Sequence, residues 1–272
     1  MGAIVVTGST RGIGFGLADA FLARGCSVII AGRTDRAVDE AVRSLSSKHE
    51  ATRIAGAACD VTRAADLERL WCTATDRFGE VDVWINNAGT CNAARAFVEL
   101  SAEEVQSVVD TNLRGTMLGS QVALRGMSRQ RHGKLFNMEG WGSRGEWSQG
   151  LTPYCTTKRA LRYFTDALVK EARDEPVQIG TLSPGMVATD LLVSSWQQGA
   201  PENWRKMRWL FHFVIDPPEP VCAYLVDKVL ANRRSGAHYT WMTPWRLAIR
   251  FVQPRYWRRR PVAGTALEKL GG

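Results

Sequence analysis

Short runs of apolar and β-branched residues alternate with longer stretches in which apolar positions recur every three or four residues. The runs AIVV (3–6), SVIIA (27–31), TRIAGA (52–57), VDVWIN (81–86), KLFNM (134–138) and VQIGTL (177–182) are too short for helices and read as buried strands. Between them the helical period predicts helices over 13–23, 35–46, 62–78, a pair across 102–131, and 156–173. Ser101 followed by Glu104 has the spacing of a capping box and marks one helix start. Strands that alternate with helices, without internal repeats, predict one doubly wound α/β domain: a parallel sheet with right-handed crossovers and helices on both faces.

Beyond residue 182 the pattern changes. SPGMVATD (183–190) leads into a Trp-, Arg- and Pro-rich segment that reads as a substrate lid at about 190–216. A helix is predicted over 219–232 and a further strand over 238–242. The boundaries expected are therefore 1–240 for the α/β domain with its lid and 241–272 for a C-terminal extension, its last residues after Pro261 forming a mobile tail.

Composition sharpens this division. The 272 residues are 45% hydrophobic and 23% charged, which excludes disordered and collagenous classes, and the net charge is +8. That charge is concentrated: residues 205–260 hold twelve Lys and Arg against Asp216, Glu219 and Asp227. Six of the ten tryptophans also fall late, at 196, 204, 209, 241, 245 and 257. No window has the eighteen uninterrupted apolar residues of a membrane span, and the apolar run from Ala3 lacks the features of an export signal. Six cysteines without CxxC spacing point to reduced thiols and a cytoplasmic setting, and four scattered histidines give no metal-ligand pattern.

The candidate chemistry begins where the first strand ends, in Thr7-Gly8-Ser9-Thr10-Arg11-Gly12-Ile13-Gly14. Glycines at a strand-to-helix turn let the backbone approach a pyrophosphate, whose charge then sits at the helix N-terminus. The second strand ends in Gly32-Arg33, where a site for NAD would carry an Asp or Glu. A carboxylate would repel a 2′-phosphate; Arg33, with Arg11 as a second cation, would bind one, and this selects NADP(H). Downstream, Tyr154 and Lys158 are four apart at the start of a helix and share one face. An ammonium beside a phenol is expected to lower the phenol from about 10 toward working pH and make it a proton donor or acceptor.

In order and spacing, TGSTRGIG (7–14), Asp60-Val61, Asn86-Asn87-Ala88-Gly89, Asn112, Tyr154-x-x-x-Lys158 and Pro184-Gly185 resemble the short-chain dehydrogenase/reductase family. The resemblance covers roughly residues 3–190 and implies an NAD(P)-dependent Rossmann-type oxidoreductase and a homo-oligomer. It further implies that Asp60 and Val61 hold the adenine, that Asn87, Ala88 and Gly89 support the sheet and cofactor, and that Asn112 holds a water leading from Lys158 to solvent. Thr189 would bind the nicotinamide carboxamide, with Pro184, Gly185 and Val187 as further cofactor contacts. The family's N-x-S-S serine is missing: Asn137-Met138-Glu139-Gly140-Trp141-Gly142-Ser143 stands there instead, so Ser143 is the candidate to polarise a carbonyl, with Ser148 and Thr152 as fallbacks. A purely structural Ser143, capping a turn, is the competing reading.

FNMEGWGS (136–143), TTKRALRYF (156–164) and LSPGMVATDLL (182–192) narrow the resemblance to the chlorophyll b reductase branch. That branch implies NADPH-dependent reduction of the 7-formyl group of chlorophyll b to 7-hydroxymethyl chlorophyll a. The plant members carry transit peptides, which this sequence does not show, so a bacterial relative or a processed form is expected. Two other classes stay open: a reductase or dehydrogenase of a lipid, steroid or other bulky apolar carbonyl, and a non-catalytic NADPH-binding regulator.

The basic, aromatic end has three readings. Trp196, Trp204, Trp209, Leu210 and Phe211 suit the lid of a substrate pocket. Trp241, Trp245, Phe251, Tyr256 and Trp257, interleaved with Arg246, Arg250, Arg255 and Arg258 to Arg260, suit peripheral docking on an anionic membrane surface. Arginines with aromatics also suit nucleic acid, but nothing else in the chain supports that partner.

Overall fold

The computed structural model describes residues 2–192, 209–210 and 212–259. Its strands are β1 (Ala3–Val6), β2 (Ser27–Gly32), β3 (Ile54–Ala58), β4 (Val81–Asn86), β5 (Lys134–Met138), β6 (Gln178–Ser183), β7 (Met186–Val187), β8 (Ile215–Asp216) and β9 (Ala237–Thr240). Seven of them form one parallel sheet in the order β3-β2-β1-β4-β5-β6-β9, and β7 pairs with β8. The order reverses between β1 and β4, which opens a crevice at the carboxyl ends of the strands where α/β sheets bind ligands.

Helices cover both faces because strand residues alternate between them. Ile4 and Val6 face α1 (Gly12–Leu22), α2 (Asp35–Ser46) and α7 (Pro218–Ala231), packing with Leu17, Phe21, Leu45, Val221 and Leu225. Ala3 and Val5 face the opposite way, toward α3 (Ala64–Phe78), α5 (Gly115–Gln130) and α6 (Thr152–Glu171), packing with Leu67, Leu70, Trp84, Val122 and Met127. At Gly16 a Cβ would stand 2.8 Å from Cys222 Sγ, so the α1–α7 contact needs a glycine there.

Three elements differ from the sequence expectation. β3 starts at Ile54, because Ala51–Arg53 form a 3₁₀ turn tied to the Glu50 carboxylate, which accepts from Thr52 and from Arg53 Nε. α6 starts at Thr152, its first turn admitting Pro153, whose missing N–H has no partner to lose there. α4 (Ala102–Val109), capped by the expected Ser101–Glu104 box, runs into α5 through a π-helical turn at Asp110–Arg114 that carries Asn112.

Residues 244–259 pack against Phe213 and the short strand β8. α8 (Pro244–Val252) and the short α9 (Pro254–Trp257) are fastened by the buried Asp216 of β8. One of its oxygens accepts from Arg250 Nη2 at 2.7 Å and Trp241 Nε1 at 2.7 Å, the other from Arg259 Nη2 at 2.9 Å. Phe251 stacks on Phe213, Arg246 lies 4.1 Å over the Trp241 ring, and Arg250, Arg255 and Arg259 surround the Tyr256 ring. This corrects the sequence reading in part: Trp241, Arg246, Arg250, Phe251 and Arg259 are engaged by the protein, because a carboxylate removed from water requires cations and donors around it. Trp245, Ala248 and Val252 remain exposed on one face of α8, and Trp257 beside it is 60% exposed. The lid residues Trp196, Trp204 and Phe211, together with Arg260 and the tail after Pro261, lie outside the described residues. No helix among the described residues is long and apolar enough to cross a membrane.

Candidate active site

The glycine loop is seated by hydrogen bonds from the neighbouring strand ends. Thr7 Oγ1 accepts from the main-chain N–H of Asn87 and of Ala88, each at 3.0 Å, and Asn87 Nδ2 donates to the carbonyls of Thr7 (2.9 Å) and Gly8 (3.1 Å). Gly8 and Gly12 take φ of 63° and 58°, and a Cβ on Gly14 would overlap the Gly8 carbonyl. Ser9 is turned toward the protein: its hydroxyl accepts from Ala31 N and its N–H donates to Ala31 O. Thr10 packs on Gly32. α1 therefore opens at Arg11 and Gly12 without a side-chain cap or an acidic residue in its first turn, which leaves its N–H groups to a ligand. Thr189 stands across from Gly12, its methyl 3.5 Å from where a Cβ would be. The loop geometry thus fits a dinucleotide pyrophosphate: small residues line it, Ile13 turns inward to the core, and the helix N-terminus faces it.

The other residues expected to meet the cofactor are placed as follows. Arg33 is exposed at the end of β2 and makes no ion pair among the described residues, and the exposed Arg11 stands 3.8 Å from Asp190. Asp60 Oδ1 accepts from Thr62 N and Oγ1, while the buried Val61 packs against Gly115. Pro184 and Gly185 lead into β7, where Gly185 (φ 72°) lies under Met242 and Val187 is buried. Gly89 lies between the Asn112 carboxamide and Lys158 Nζ. Asn112 joins two parts of the site: its Oδ1 accepts from Thr90 N at 2.8 Å, and its Nδ2 donates to Thr90 O at 2.9 Å and Thr157 Oγ1 at 3.1 Å. A π-turn at such a position widens the helix where a functional side chain is held.

Tyr154 and Lys158 share a face of α6, with Nζ 5.8 Å from the Tyr154 ring centroid. Lys158 is buried and donates to the Met138 carbonyl at 3.1 Å, at the end of β5. Burial brings its ammonium down to about 8, against the pull of the Cys91 and Glu139 charges in the other direction. The Tyr154 phenol moves opposite to the sequence expectation: burial, with smaller contributions from Cys91 and Cys155, raises it above its ordinary value. The hydroxyl end is crowded, since a Cβ on Gly140 would overlap it. Tyr154 is thus held as the protonated phenol, the form that can donate a proton.

Ser143 is buried three residues past Gly140, the nearer of the two positions where the family's serine would stand, and its hydroxyl is engaged within the turn: Oγ donates to Gly140 O at 2.7 Å and accepts from Gly140 N at 3.1 Å. The site also draws in residues to which motif reading gave no role. Glu139 is buried and takes Arg162 Nη1 at 2.8 Å, Arg159 Nη1 donates to Ser143 O at 3.2 Å, and Thr7, Thr90 and Thr157 tie the loops together. The available signal was the cationic spacing 158, 159, 162 on one helix opposite a strand end carrying a carboxylate. Among the described residues no cluster of His, Cys, Asp or Glu could hold a metal.

A family model described as short chain dehydrogenase matches residues 2–200. The chain is 36% identical over 94% of its length to the probable chlorophyll(ide) b reductase NYC1, chloroplastic, of Arabidopsis thaliana, and covers 53% of that protein. It is 36% identical over 86% of its length to the chlorophyll(ide) b reductase NOL, chloroplastic, of the same plant, covering 67% of it. The chain thus spans about half the length of the first of these relatives. The fold is also that of a 3-ketoacyl-(acyl-carrier-protein) reductase from Brucella melitensis complexed with NADH, with TM-score 0.76 and 21% identity over 88% of this chain and 96% of that one. An actinorhodin polyketide ketoreductase with NADPH gives TM-score 0.75 and 25% identity over 88% and 95% of the two chains.

The close approach of Gly140 to Tyr154 yields a prediction. Gly140→Ala costs about 1–3 kcal/mol by overpacking, and most of that cost disappears in a Tyr154→Phe background, where the hydroxyl is absent. Chemical denaturation of the four proteins measures the coupling; equal costs in both backgrounds would show that the two residues do not meet.

Proposed function

Because the chain belongs to the short-chain dehydrogenase/reductase family, we propose that it is an NADPH-dependent reductase of a bulky apolar carbonyl compound, most specifically the 7-formyl group of chlorophyll b. The observation that carries the reading is Tyr154, protonated and set against Gly140, with Lys158 on the same helical face reaching the Met138 carbonyl beside Gly89. NADPH, when bound, supplies the hydride. Tyr154 donates its proton to the oxygen of the substrate carbonyl, and Lys158 favours the resulting phenolate and holds the nicotinamide ribose. Asn112 braces the Thr90 loop and Thr157 around Lys158 and holds the water that returns the proton from solvent. Ser143 polarises the carbonyl once its hydroxyl is released from Gly140 O; until then it caps the 140–143 turn.

The substrate proposal draws on the similarity to the chlorophyll(ide) b reductases and on the surface beside the site, where Trp141 and Trp147 are 48% and 74% exposed. Such indoles suit a large planar ligand. Replacement of Tyr154 by Phe is expected to lower turnover of a formyl tetrapyrrole by about 10²–10⁴-fold while NADPH still quenches tryptophan fluorescence. Retained turnover would remove the tyrosine from its role.

NADPH rather than NADH is proposed from Arg33 and Arg11, both exposed at the glycine loop, and from the lack of a carboxylate at the end of β2. Arg33→Asp should reduce the NADPH preference on the order of 10- to 100-fold, the range of one charge-assisted hydrogen bond. An unchanged ratio of NADPH to NADH kcat/KM would contradict this assignment.

Two partner proposals accompany the reaction. Val109, Met117 and Tyr163, exposed on or next to α4–α6, suit a second copy of the chain. The exposed Trp245, Ala248 and Val252 face of α8, with Trp257 and the exposed Arg255 and Arg258 beside it, suits an anionic membrane surface: apolar groups enter the headgroup region and arginines meet its charge. In flotation with anionic vesicles, the full chain should rise with the lipid, and Trp245→Glu with Val252→Glu should leave it at the bottom. Equal flotation of both proteins would remove α8 from the docking face.

A further inference from the structure

The end of β5 carries a carboxylate that the proposed reaction does not use. Glu139 follows Met138, whose carbonyl takes Lys158, and precedes Gly140, which lies against the Tyr154 hydroxyl. Its side chain is 1% exposed, and its Oε1 accepts from Arg162 Nη1 at 2.8 Å. Arg162 lies one helical turn beyond Lys158, so the same side of α6 meets three successive parts of one segment: Lys158 the Met138 carbonyl, Arg162 the Glu139 carboxylate, and Arg159 the Ser143 carbonyl. Stability alone does not account for this arrangement, because a buried ion pair is often replaceable by apolar side chains without loss.

The charges around the pair do not cancel locally. Arg162 is divided between Glu139 and Asp166, the latter at 3.0 Å. His238 of β9 stands 3.5 Å from Asp166, and its ring is held by Thr181 Oγ1 at 2.7 Å. Among the described residues, Tyr154, Lys158, Arg159, Arg162 and Asp166 from α6, His238 from β9, Arg144 from the turn and Cys91 from the loop after β4 are titratable and charged groups around this cluster. With one guanidinium shared by two carboxylates, Glu139 keeps a negative field that reaches Lys158.

We propose that Glu139 is a positioning residue of the reductase site: its carboxylate, held by Arg162, sets a negative charge on the strand end that Lys158 meets and seats the 140–143 turn against Tyr154. This rests on the reading of Tyr154 and Lys158 as the working pair. Burial lowers the Lys158 ammonium, the Cys91 and Glu139 charges oppose that, and the balance lies at about 8. Removing the carboxylate charge lowers Lys158 further, and the ammonium is then lost at a lower pH.

Glu139→Gln separates charge from structure, because the amide oxygen can still accept from Arg162. The readouts are the pH dependence of NADPH affinity, followed by nicotinamide fluorescence, and of kcat with a reducible carbonyl compound. The midpoint of the alkaline limb is expected to move down on the order of half a unit or more in Glu139→Gln, and to stay at the wild-type value in Glu139→Asp even where kcat falls. Glu139→Ser, a second neutral replacement with less bulk, should move it as Gln does and serves where Gln does not fold, with thermal melting as the check. A folded neutral variant with the wild-type midpoint, or an Asp variant that shifts with it, overturns the proposal. Wild-type protein that binds NADPH but reduces no carbonyl compound defeats the functional reading while the binding midpoint still decides the role of Glu139; failure to bind NADPH defeats both.

Discussion

The contact between the cationic side of α6 and the end of β5 sets the geometry of everything around it. Lys158 reaches the Met138 carbonyl and Arg162 the Glu139 carboxylate, and these two bonds hold the first turns of α6 over the strand end. Tyr154, one turn earlier, is thereby brought against Gly140, where a side chain has no room. The missing serine follows from this packing. Residue 140 must be glycine in this arrangement, and the nearest buried hydroxyl, Ser143, closes the turn by bonding back to Gly140. Burial raises the phenol above its ordinary value, which suits a carbonyl reduction in which the tyrosine gives up a proton.

A second constraint organises the far end of the chain. Asp216, buried on β8, accepts from Trp241, Arg250 and Arg259 together. α8 is consequently turned with Arg246 and Arg250 toward the protein and with Trp245, Ala248 and Val252 toward solvent, the reverse of an ordinary surface helix. Because Trp241 and Met242 also lie over Gly185, this node links the basic aromatic end to the loop that runs past the glycine turn. Arg246, Arg250 and Arg259 of this basic segment serve internal contacts, while Arg255 and Arg258 face solvent.

Most of the sheet was legible in the sequence, because a strand buried on both sides leaves an unbroken apolar run and a helix leaves a period; β1, β4 and β5 lie where those runs stand. The boundaries that moved did so for local reasons the pattern does not carry, such as the Glu50 carboxylate that draws Thr52 and Arg53 into a turn. The glycine loop and the Tyr154–Lys158 pair were legible because their spacing is itself the chemistry. Three features were not. The direction in which Tyr154 shifts depends on burial, the partners of Arg250 lie 34 and 37 residues away, and Glu139 reads as a departure from a motif until Arg162 is seen across from it. Each is a property of packing between distant segments.

The reaction proposed at this site delivers hydride to the carbon and a proton to the oxygen of one formyl group. The most direct measurement is mass spectrometry of chlorophyll b incubated with the protein and NADPH deuterated at C4 on the transferred face. A 7-hydroxymethyl product carrying one deuterium on the carbinol carbon is the result predicted. Unreduced pigment under conditions in which a small ketone or a long-chain aldehyde is reduced would contradict the tetrapyrrole substrate, and no reduction of any carbonyl compound by the folded, NADPH-bound protein would contradict the reductase itself.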